Sequence, residues 1–375
     1  MILVVDIIFN FVMLTVDVAI ALAVGRRPKL AYWLVLTVCG LAAWLMLGGV
    51  AVGAQIGLSW RYGGEFWLFR MAAWTIFVHG PISALLCGYF AWRDNRRIAI
   101  VGGLLSIGVL AVGADAFLYE PTALVVTKYE FADARIKEPT RLVVLADLQT
   151  DAIGPYERDV FIRVLALEPD IIFLAGDYFH FRRDENERRF AARAKLREHL
   201  DRIGFPGDAR LYGIQGNIDP CEWTETFVGL ENGGLLVNQT KTVELGELGL
   251  DLTLLGVSES RDLRPTIDRP HADRMHVVLG HCPDFALSPV DADLLLAGHT
   301  HGGQVRVPGF GPLTTHSSVP REWASGLTVL PKTEDLPDDR RLLVSRGVGM
   351  ERDAAPRLRF NCRPELVVID LVPTR

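Results

Sequence analysis

Apolar residues in the first third of the chain come in long runs, whereas beyond position 118 they come in short runs broken by polar and charged residues. Four of the long runs, at about 2–24, 30–54, 66–92 and 98–118, reach the roughly 20 residues that a helix needs to cross a hydrocarbon core. The pattern therefore predicts an N-terminal bundle of four transmembrane helices over 1–119. Polar residues interrupt these runs sparsely: Asp6, Asn10 and Asp17 in the first, Arg70, His79 and Pro81 in the third, and Asp115 near the end of the fourth. Such residues usually turn toward the interior of a bundle, and we read them as contacts between helices rather than as a proton relay. The first run lacks a basic leading segment and a small-residue cleavage site, so it reads as a retained helix and not a signal peptide.

From Arg141 onward the period shortens. Strands are expected at 141–146, 170–175, 209–214, 250–257, 276–279, 292–297, 342–345 and 365–371, with helices at 159–167 and 184–202. Continuous apolar strands mean sheets covered on both faces, and their alternation with helices indicates an α/β domain over 141–375. A linker and a first strand fill 120–140.

Composition sharpens this division. The chain has 375 residues, half of them hydrophobic, and its mean hydropathy of +0.23 is high for a soluble protein. A net charge of −6 gives no support for a nucleic-acid partner. Basic residues gather after the first run (Arg26, Arg27, Lys29) and after the third (Arg93, Arg96, Arg97), whereas the link after the second carries only Arg61. Because basic loops stay cytoplasmic, both termini and the large domain are expected on the extracytoplasmic side of a multi-pass inner-membrane protein. The cysteines form no metal-binding spacing.

The chemistry lies where the strands end. Asp147 and Gln149 follow one strand, Gly176-Asp177 the next, then Gly216-Asn217, Gly280-His281 and Gly298-His299-Thr300-His301. Ligands of α/β sheets bind beyond the carboxyl ends of strands, and these residue types are what two divalent ions 3.5–4 Å apart require. Alone, Asp147 could be a helix cap, Gly216-Asn217 a turn, and His281 a packed histidine. Five successive strand ends make chance a poor account of the set. His271, His276 and His316 have no motif around them and are read as structural.

This set resembles the calcineurin-like metallophosphoesterases, whose motifs run D-x-H, G-D-x-x-D, G-N-H-[DE], a lone His, and G-H-x-H. Here they read Asp147-Leu148-Gln149, Gly176-Asp177-Tyr178-Phe179-His180, Gly216-Asn217-Ile218-Asp219, Gly280-His281 and Gly298-His299-Thr300-His301. The run from Gly298 to Pro312 and the later Ser345-Arg346-Gly347-Val348-Gly349 are similar to the membrane-associated bacterial branch. The resemblance implies a two-sheet β-sandwich flanked by helices. It also implies a dinuclear-metal phosphoesterase that hydrolyses a phosphodiester or phosphoanhydride by attack of a metal-bridging water. By it, Asp147, Gln149, Asp177 and His301 bind one ion, and Asp177, Asn217, His281 and His299 the other. Asp177, Asn217, His299 and His180 carry catalysis, and Arg182, Arg183, Gly303 and Gln304 meet the substrate.

Two departures bear on activity. Gln149 replaces the family's histidine with an oxygen donor, which favours manganese, ahead of magnesium, zinc and iron. Ile218 replaces the histidine that assists the leaving group, which favours substrates with good leaving groups, unless His180 donates instead. The rival reading is a non-catalytic phosphate-binding or sensory module. The expected partners are the bilayer and a phosphorylated small-molecule or phospholipid-like substrate; the oligomeric state is open.

Overall fold

The computed structural model describes residues 2–26, 64–93, 95–182, 184–227, 229–230, 233–235, 238–246, 248–261, 265–332, 336 and 339–374. They divide into two compact units, 1–118 with 353–357, and 119–352 with 358–375.

In the first unit, helix α1 spans Ile2–Arg26. Helices α2 (Gly64–Trp74) and α3 (Gly80–Ala91) are joined by a π-helical turn over Thr75–His79. Pro81 explains the turn: it offers no N–H, and its ring crowds the carbonyl four residues back, so the helix widens there. Helix α4 covers Arg96–Ala114. Two segments, Phe66–Ala91 and Ala99–Thr122, have the length and hydropathy to cross a membrane. The expected second span, 30–54, lies outside the described residues, so the four-helix bundle is supported only in these parts. Helices α3 and α4 meet at small residues, with Gly102 against the Ala84 carbonyl and Gly88 against Ala99; such residues let apolar helices approach closely. The polar interruptions meet one another. His79 Nδ1 lies 2.7 Å from Asp17, His79 Nε2 lies 3.0 Å from Asn10, and Arg70 pairs with Asp6 at 2.6 Å.

The second unit holds two six-stranded sheets. The first is ordered β1-β14-β2-β3-β4-β5, and the second β12-β13-β9-β8-β7-β6. Strands β1 (Val125–Asp133), β2 (Thr140–Leu145), β3 (Ile171–Leu174), β4 (Arg210–Gly213), β5 (Gly234–Leu235) and β14 (Glu365–Pro373) form the first. Strands β6 (Gln239–Leu245), β7 (Leu248–Leu254), β8 (Met275–Leu279), β9 (Leu294–Ala297), β12 (Gly326–Val329) and β13 (Arg341–Val344) form the second. A two-stranded hairpin, β10 (Arg306–Val307) with β11 (Gly311–Pro312), stands apart. Both sheets are mixed: β2, β3 and β4 run parallel while β14 is antiparallel to β2, and β7, β8 and β9 run parallel while β6 is antiparallel to β7.

The period of two along each strand sorts side chains into layers. Leu142, Val144, Ile171 and Phe173 meet Leu250, Leu252, Val277 and Leu294 between the sheets. The alternate residues Val143, Leu145, Ile172 and Leu174 pack on helices α5 (Pro155–Ala166) and α6 (Asn186–Ile203). The outer face of the second sheet is covered by Phe285 and Ala286 among others. Burial on both faces is why these strands read as unbroken apolar runs. The region 120–140 is tied down: β1 pairs with β14 along its length, and the Glu120 carboxylate accepts the Asn361 backbone N–H at 2.8 Å.

An ion cluster clips the two sheets together. Arg135, just past β1, donates to Asp133 at 2.7 Å and to Asp293 at 2.8 Å, and Arg269 reaches the other Asp293 oxygen at 2.7 Å. The two guanidinium groups hold the Asp293 carboxyl below its ordinary range against the opposing effect of burial. A depressed carboxylate stabilises the fold above its unfolded pKa, and that contribution is lost as pH falls through the folded value. Asp293→Asn is therefore expected to cost about 2 kcal/mol at neutral pH and to flatten the acid limb of the stability profile below about pH 4. Unfolding curves of both proteins between pH 3 and 7 check this; parallel profiles would refute it.

Candidate metal centre

Every strand-end motif arrives at one edge of the sandwich. Asp147 and Gln149 follow β2, Asp177 follows β3, Asn217 follows β4, His281 follows β8, and His299 and His301 follow β9. The backbone bends sharply to turn these side chains inward. Asp147, Gln149, Asp177, His299 and His301 all have φ between 35° and 68°. Left-handed backbone in non-glycine residues costs roughly 1–3 kcal/mol each and gathers at functional sites. Close approach adds its own demand: a Cβ on Gly216 would sit 2.0 Å from the Asp177 carboxylate.

At the centre, Asp177, His281 and His299 each offer a donor atom, and the three atoms lie within 4.8 Å of one another. His281 Nδ1 meets the Ala175 carbonyl at 2.8 Å, so that nitrogen carries a proton. Its Nε2 then faces two oxygens, Asn217 Oδ1 at 3.0 Å and Asp177 Oδ2 at 3.2 Å. Three lone pairs converge there, and a positive charge has to sit among them. Burial works against charge on His281, but the Asp177 carboxylate prevails and lifts it to about 9. His299 Nε2 donates to the His316 carbonyl at 3.0 Å, which leaves Nδ1 with its lone pair; burial and the neighbouring His281 lower this imidazole to about 4. Asp177 is held at about 2, where His281 and the Ile218 N–H outweigh burial. Asp147, buried and close to the Asp177 charge, rises to about 7 while accepting two bonds from the His299 N–H.

Residues present fit a cation. Gln149 Oε1 and both ring nitrogens of His301 are buried without a hydrogen-bond partner, and burial keeps His301 neutral. Orphaned buried polar atoms are costly; the Gln149 oxygen and the one lone pair of neutral His301, beside two buried carboxylates, match the oxygen and imidazole donors of a divalent-metal site.

Of the other expected residues, His180 meets the candidate ligands, while Arg182 and Gln304 have partners of their own. Arg182 pairs with Asp184 at 3.7 Å at the surface, and Arg183 lies outside the described residues. A Cβ on Gly303 would sit 2.2 Å from Pro312, so only its backbone is available. Gln304 accepts the Glu351 N–H at 2.8 Å and so braces the loop after β13. His180 Nδ1 meets the Gln149 amide at 3.2 Å.

Sequence reasoning missed four contributors. Asp219, the last residue of Gly216-Asn217-Ile218-Asp219, accepts the backbone N–H groups of Gly216, Asp177 and Tyr178, each at 2.8 Å, and so locks two motifs together. The His316 backbone anchors His299. Glu351 is hydrogen-bonded to Gln149 and lies 3.6 Å from His180, and burial lifts it to about 8. Arg352 donates to the Gln149 carbonyl at 3.1 Å and faces Asp151 at 3.4 Å. Glu351 and Arg352 follow the Ser345–Gly349 motif after the single residue Met350; that proximity was the available signal. With His180 and Glu351 on its amide nitrogen, Gln149 must present Oε1 inward. Glu351→Ala should therefore weaken Mn²⁺ binding by about 10–100-fold, as read by Mn²⁺ paramagnetic resonance titration. An unchanged affinity would rule this role out.

The calcineurin-like phosphoesterase family model matches residues 140–303. The chain is 29% identical to Phosphodiesterase YaeI of Escherichia coli over 245 residues, which is 62% of this chain and 83% of that protein. It is 28% identical to the uncharacterized metallophosphoesterase YkuE of Bacillus subtilis over 300 residues, 76% of this chain and 90% of that one. A bovine (Bos taurus) transmembrane protein with metallophosphoesterase domain is 22% identical over 285 residues, 64% of this chain and 63% of its own length.

Proposed function

Residues 140–303 are a calcineurin-like phosphoesterase domain and the protein is a metal-dependent phosphoesterase, and from that premise we propose a dinuclear hydrolase anchored in the membrane, acting on a phosphodiester or phosphoanhydride. What supports the dinuclear reading is that strand ends of both sheets bring seven candidate ligands to one edge, with the donor atoms of Asp177, His281 and His299 within 4.8 Å of one another and polar atoms of Gln149 and His301 buried without a partner. Asp147, Gln149, Asp177 and His301 would hold one ion, and Asp177, Asn217, His281 and His299 the other. When bound, such a pair supplies Lewis-acid polarisation of the phosphoryl group and a water acidic enough to attack phosphorus.

The chain's own residues fix the geometry. The Ala175 and His316 carbonyls set the tautomers of His281 and His299. The Ile218 N–H holds one Asp177 oxygen at 3.0 Å, leaving the other toward His281. Arg352, whose side chain reaches the Gln149 carbonyl, is the cation we assign to the substrate's phosphate in place of Arg182. Gln149 as an oxygen donor supports manganese.

Membrane anchoring rests on the two apolar segments Phe66–Ala91 and Ala99–Thr122, with α1 and the run 30–54 completing four spans. The basic links put the catalytic domain outside the cytoplasm. An outward-facing anchored site suits a phospholipid-like substrate. Ile218, lacking a proton to give, favours good leaving groups; Ile218→His should raise turnover of an alkyl diester by roughly tenfold, within reach of what a positioned acid supplies, and no gain would sink that account.

The deciding experiment uses the purified full chain, stripped of metal and then given Mn²⁺, Mg²⁺, Zn²⁺ or Fe²⁺, with an aryl phosphodiester and a nucleoside diphosphate as probes. Metal-dependent turnover establishes the reaction and separates diesterase from pyrophosphatase. Binding of two ions with no turnover of either probe would make the sensory module the better reading, which Ile218 otherwise favours alone. A cytoplasm-dependent reporter at the C-terminus should stay silent; activity would overturn the orientation.

A further inference from the structure

Ten large apolar side chains are exposed in the described part of residues 119–375, and five of them fall within 307–329: Val307, Phe310, Leu313, Leu327 and Val329. Scattered singly such residues are ordinary, but a cluster rimmed by polar groups marks a docking surface. Phe310 tops the β10–β11 hairpin, where the Phe310 N–H closes a turn onto the Val307 carbonyl at 3.0 Å. Arg321 lies over the Phe310 ring, 4.6 Å from its centroid, and donates to the Leu313 carbonyl at 2.9 Å. Phe310 and Leu313 are thereby held together at the hairpin with a guanidinium beside them.

The hairpin is also built into the rim of the metal centre. Pro312 closes on Gly303, Leu313 bonds back to Val305 at 3.2 Å, and Arg306 donates to the Gly302 carbonyl at 3.0 Å. A few residues on, the His316 carbonyl holds His299. Residues 302–329 contain Arg306 and Arg321 against the single acid Glu322, in a chain whose net charge is −6. An apolar tip flanked by arginines, in a stretch with one net positive charge, is complementary to an anionic lipid surface, where apolar groups enter the headgroup boundary and cations meet phosphates.

We propose that the β10–β11 hairpin, led by Phe310 with Arg321, docks on an anionic bilayer and so brings headgroup phosphates to the rim of the metal centre. The proposal rests on the membrane-anchored reading given above and names the surface from which its substrate is drawn. Anionic lipid is favoured over a second copy of the chain because the patch carries positive charge while the whole chain is negative.

The test does not depend on turnover. The full chain, with Cys39, Cys87 and Cys221 changed to serine, carries a fluorescent label at Phe310→Cys or, as control, at the equally exposed Phe190→Cys. It is reconstituted in vesicles of phosphatidylcholine with phosphatidylglycerol, with or without bromine on the acyl chains near the headgroup. The label at 310 is expected to lose roughly half its emission to brominated lipid, with little loss at 190, and the difference should shrink in pure phosphatidylcholine or with Arg321→Glu. Equal quenching at both positions overturns the proposal. Shielding of position 310 from aqueous iodide without quenching by lipid also overturns it and assigns the patch to a protein partner, a second copy if the shielding depends on protein density. Phe310→Ser should leave hydrolysis of a water-soluble aryl diester unchanged. Quenching without hydrolysis of any probe would leave the docking surface standing and remove the enzymatic reading instead.

Discussion

Asp177→Asn is expected to lower metal-dependent turnover by more than about a thousandfold while leaving the fold intact, because the charge stabilisation a metal pair supplies is worth several kcal/mol and each 1.4 kcal/mol is about tenfold in rate. The substitution is nearly isosteric. An asparagine oxygen can still accept the Ile218 N–H, and the backbone N–H of residue 177 can still reach Asp219. What disappears is the negative charge between His281 and the partner groups, together with the oxygen that faces His281 Nε2 at 3.2 Å. The same charge is what lifts His281 above its ordinary range and contributes to raising Asp147, so both should move back when it is removed. Metal content and turnover are to be read on one preparation. Loss of at least one ion with loss of turnover is the expected pair of results. Full turnover with two ions retained would mean that Asp177 is not the residue shared between the ions, and the ligand assignment would have to be redrawn.

The site was legible in the sequence because its residues sit at the ends of apolar strands, where a period of two stops and a Gly-Asp, Gly-Asn or Gly-His begins. Those apolar runs also marked the strands: Ile171–Leu174, Arg210–Gly213 and Leu294–Ala297 each fall inside the expected ranges. Strand β6 was not legible, since its burial alternates only weakly and its exposed polar residues (Gln239, Thr240, Lys241) read as loop. Strand β1 was expected within 120–140 but without bounds, for a similar reason: it lies at a sheet edge with one side open. The groups that support the centre were the least visible. Asp219 acts through backbone N–H groups of its own motif and of the strand end after β3, and Glu351 acts through an amide 202 positions earlier in the chain. Such partnerships are created by the crossing of distant segments, and no local spacing encodes them. The polar residues of the apolar runs stand between these cases: a buried polar group needs a partner, so contacts were expected, but the pairing of Asp17 with His79 and of Asp6 with Arg70 came from the packing.

Arg359→Met is expected to destabilise the second unit by about 3–5 kcal/mol, since each buried carbonyl left without a donor costs about 1–3 kcal/mol and water can reach only some of them. Arg359 is fully buried, and among the described residues no carboxylate is a hydrogen-bond partner. Its guanidinium spends its donors on backbone carbonyls instead: Gly349 at 3.0 and 2.5 Å, Cys362 at 2.9 Å, Arg346 at 2.8 Å and Gly347 at 3.3 Å. Four peptide groups from the loop after β13 and from the turn before β14 thus converge on one side chain. That loop is what supports the first candidate ligand. The Gly349 N–H donates to the Asp147 carbonyl at 2.7 Å, and the Val348 N–H to that of Ala146 at 3.0 Å. Methionine fills a similar volume, so the expected loss comes from the carbonyls and not from a cavity. Lysine keeps the charge but has no planar fork to serve four acceptors, and Arg359→Lys should recover less than half of the lost stability. Because the loop carries Glu351 and braces Asp147, the metal affinity of the site at Gln149 should fall in the same variants. Unfolding of the detergent-solubilised protein followed by near-ultraviolet circular dichroism gives the first quantity, and Mn²⁺ titration the second. An Arg359→Met protein within about 1 kcal/mol of the parent, with both ions bound as before, would mean that the loop holds its shape through β14 and Glu365 rather than through this arginine.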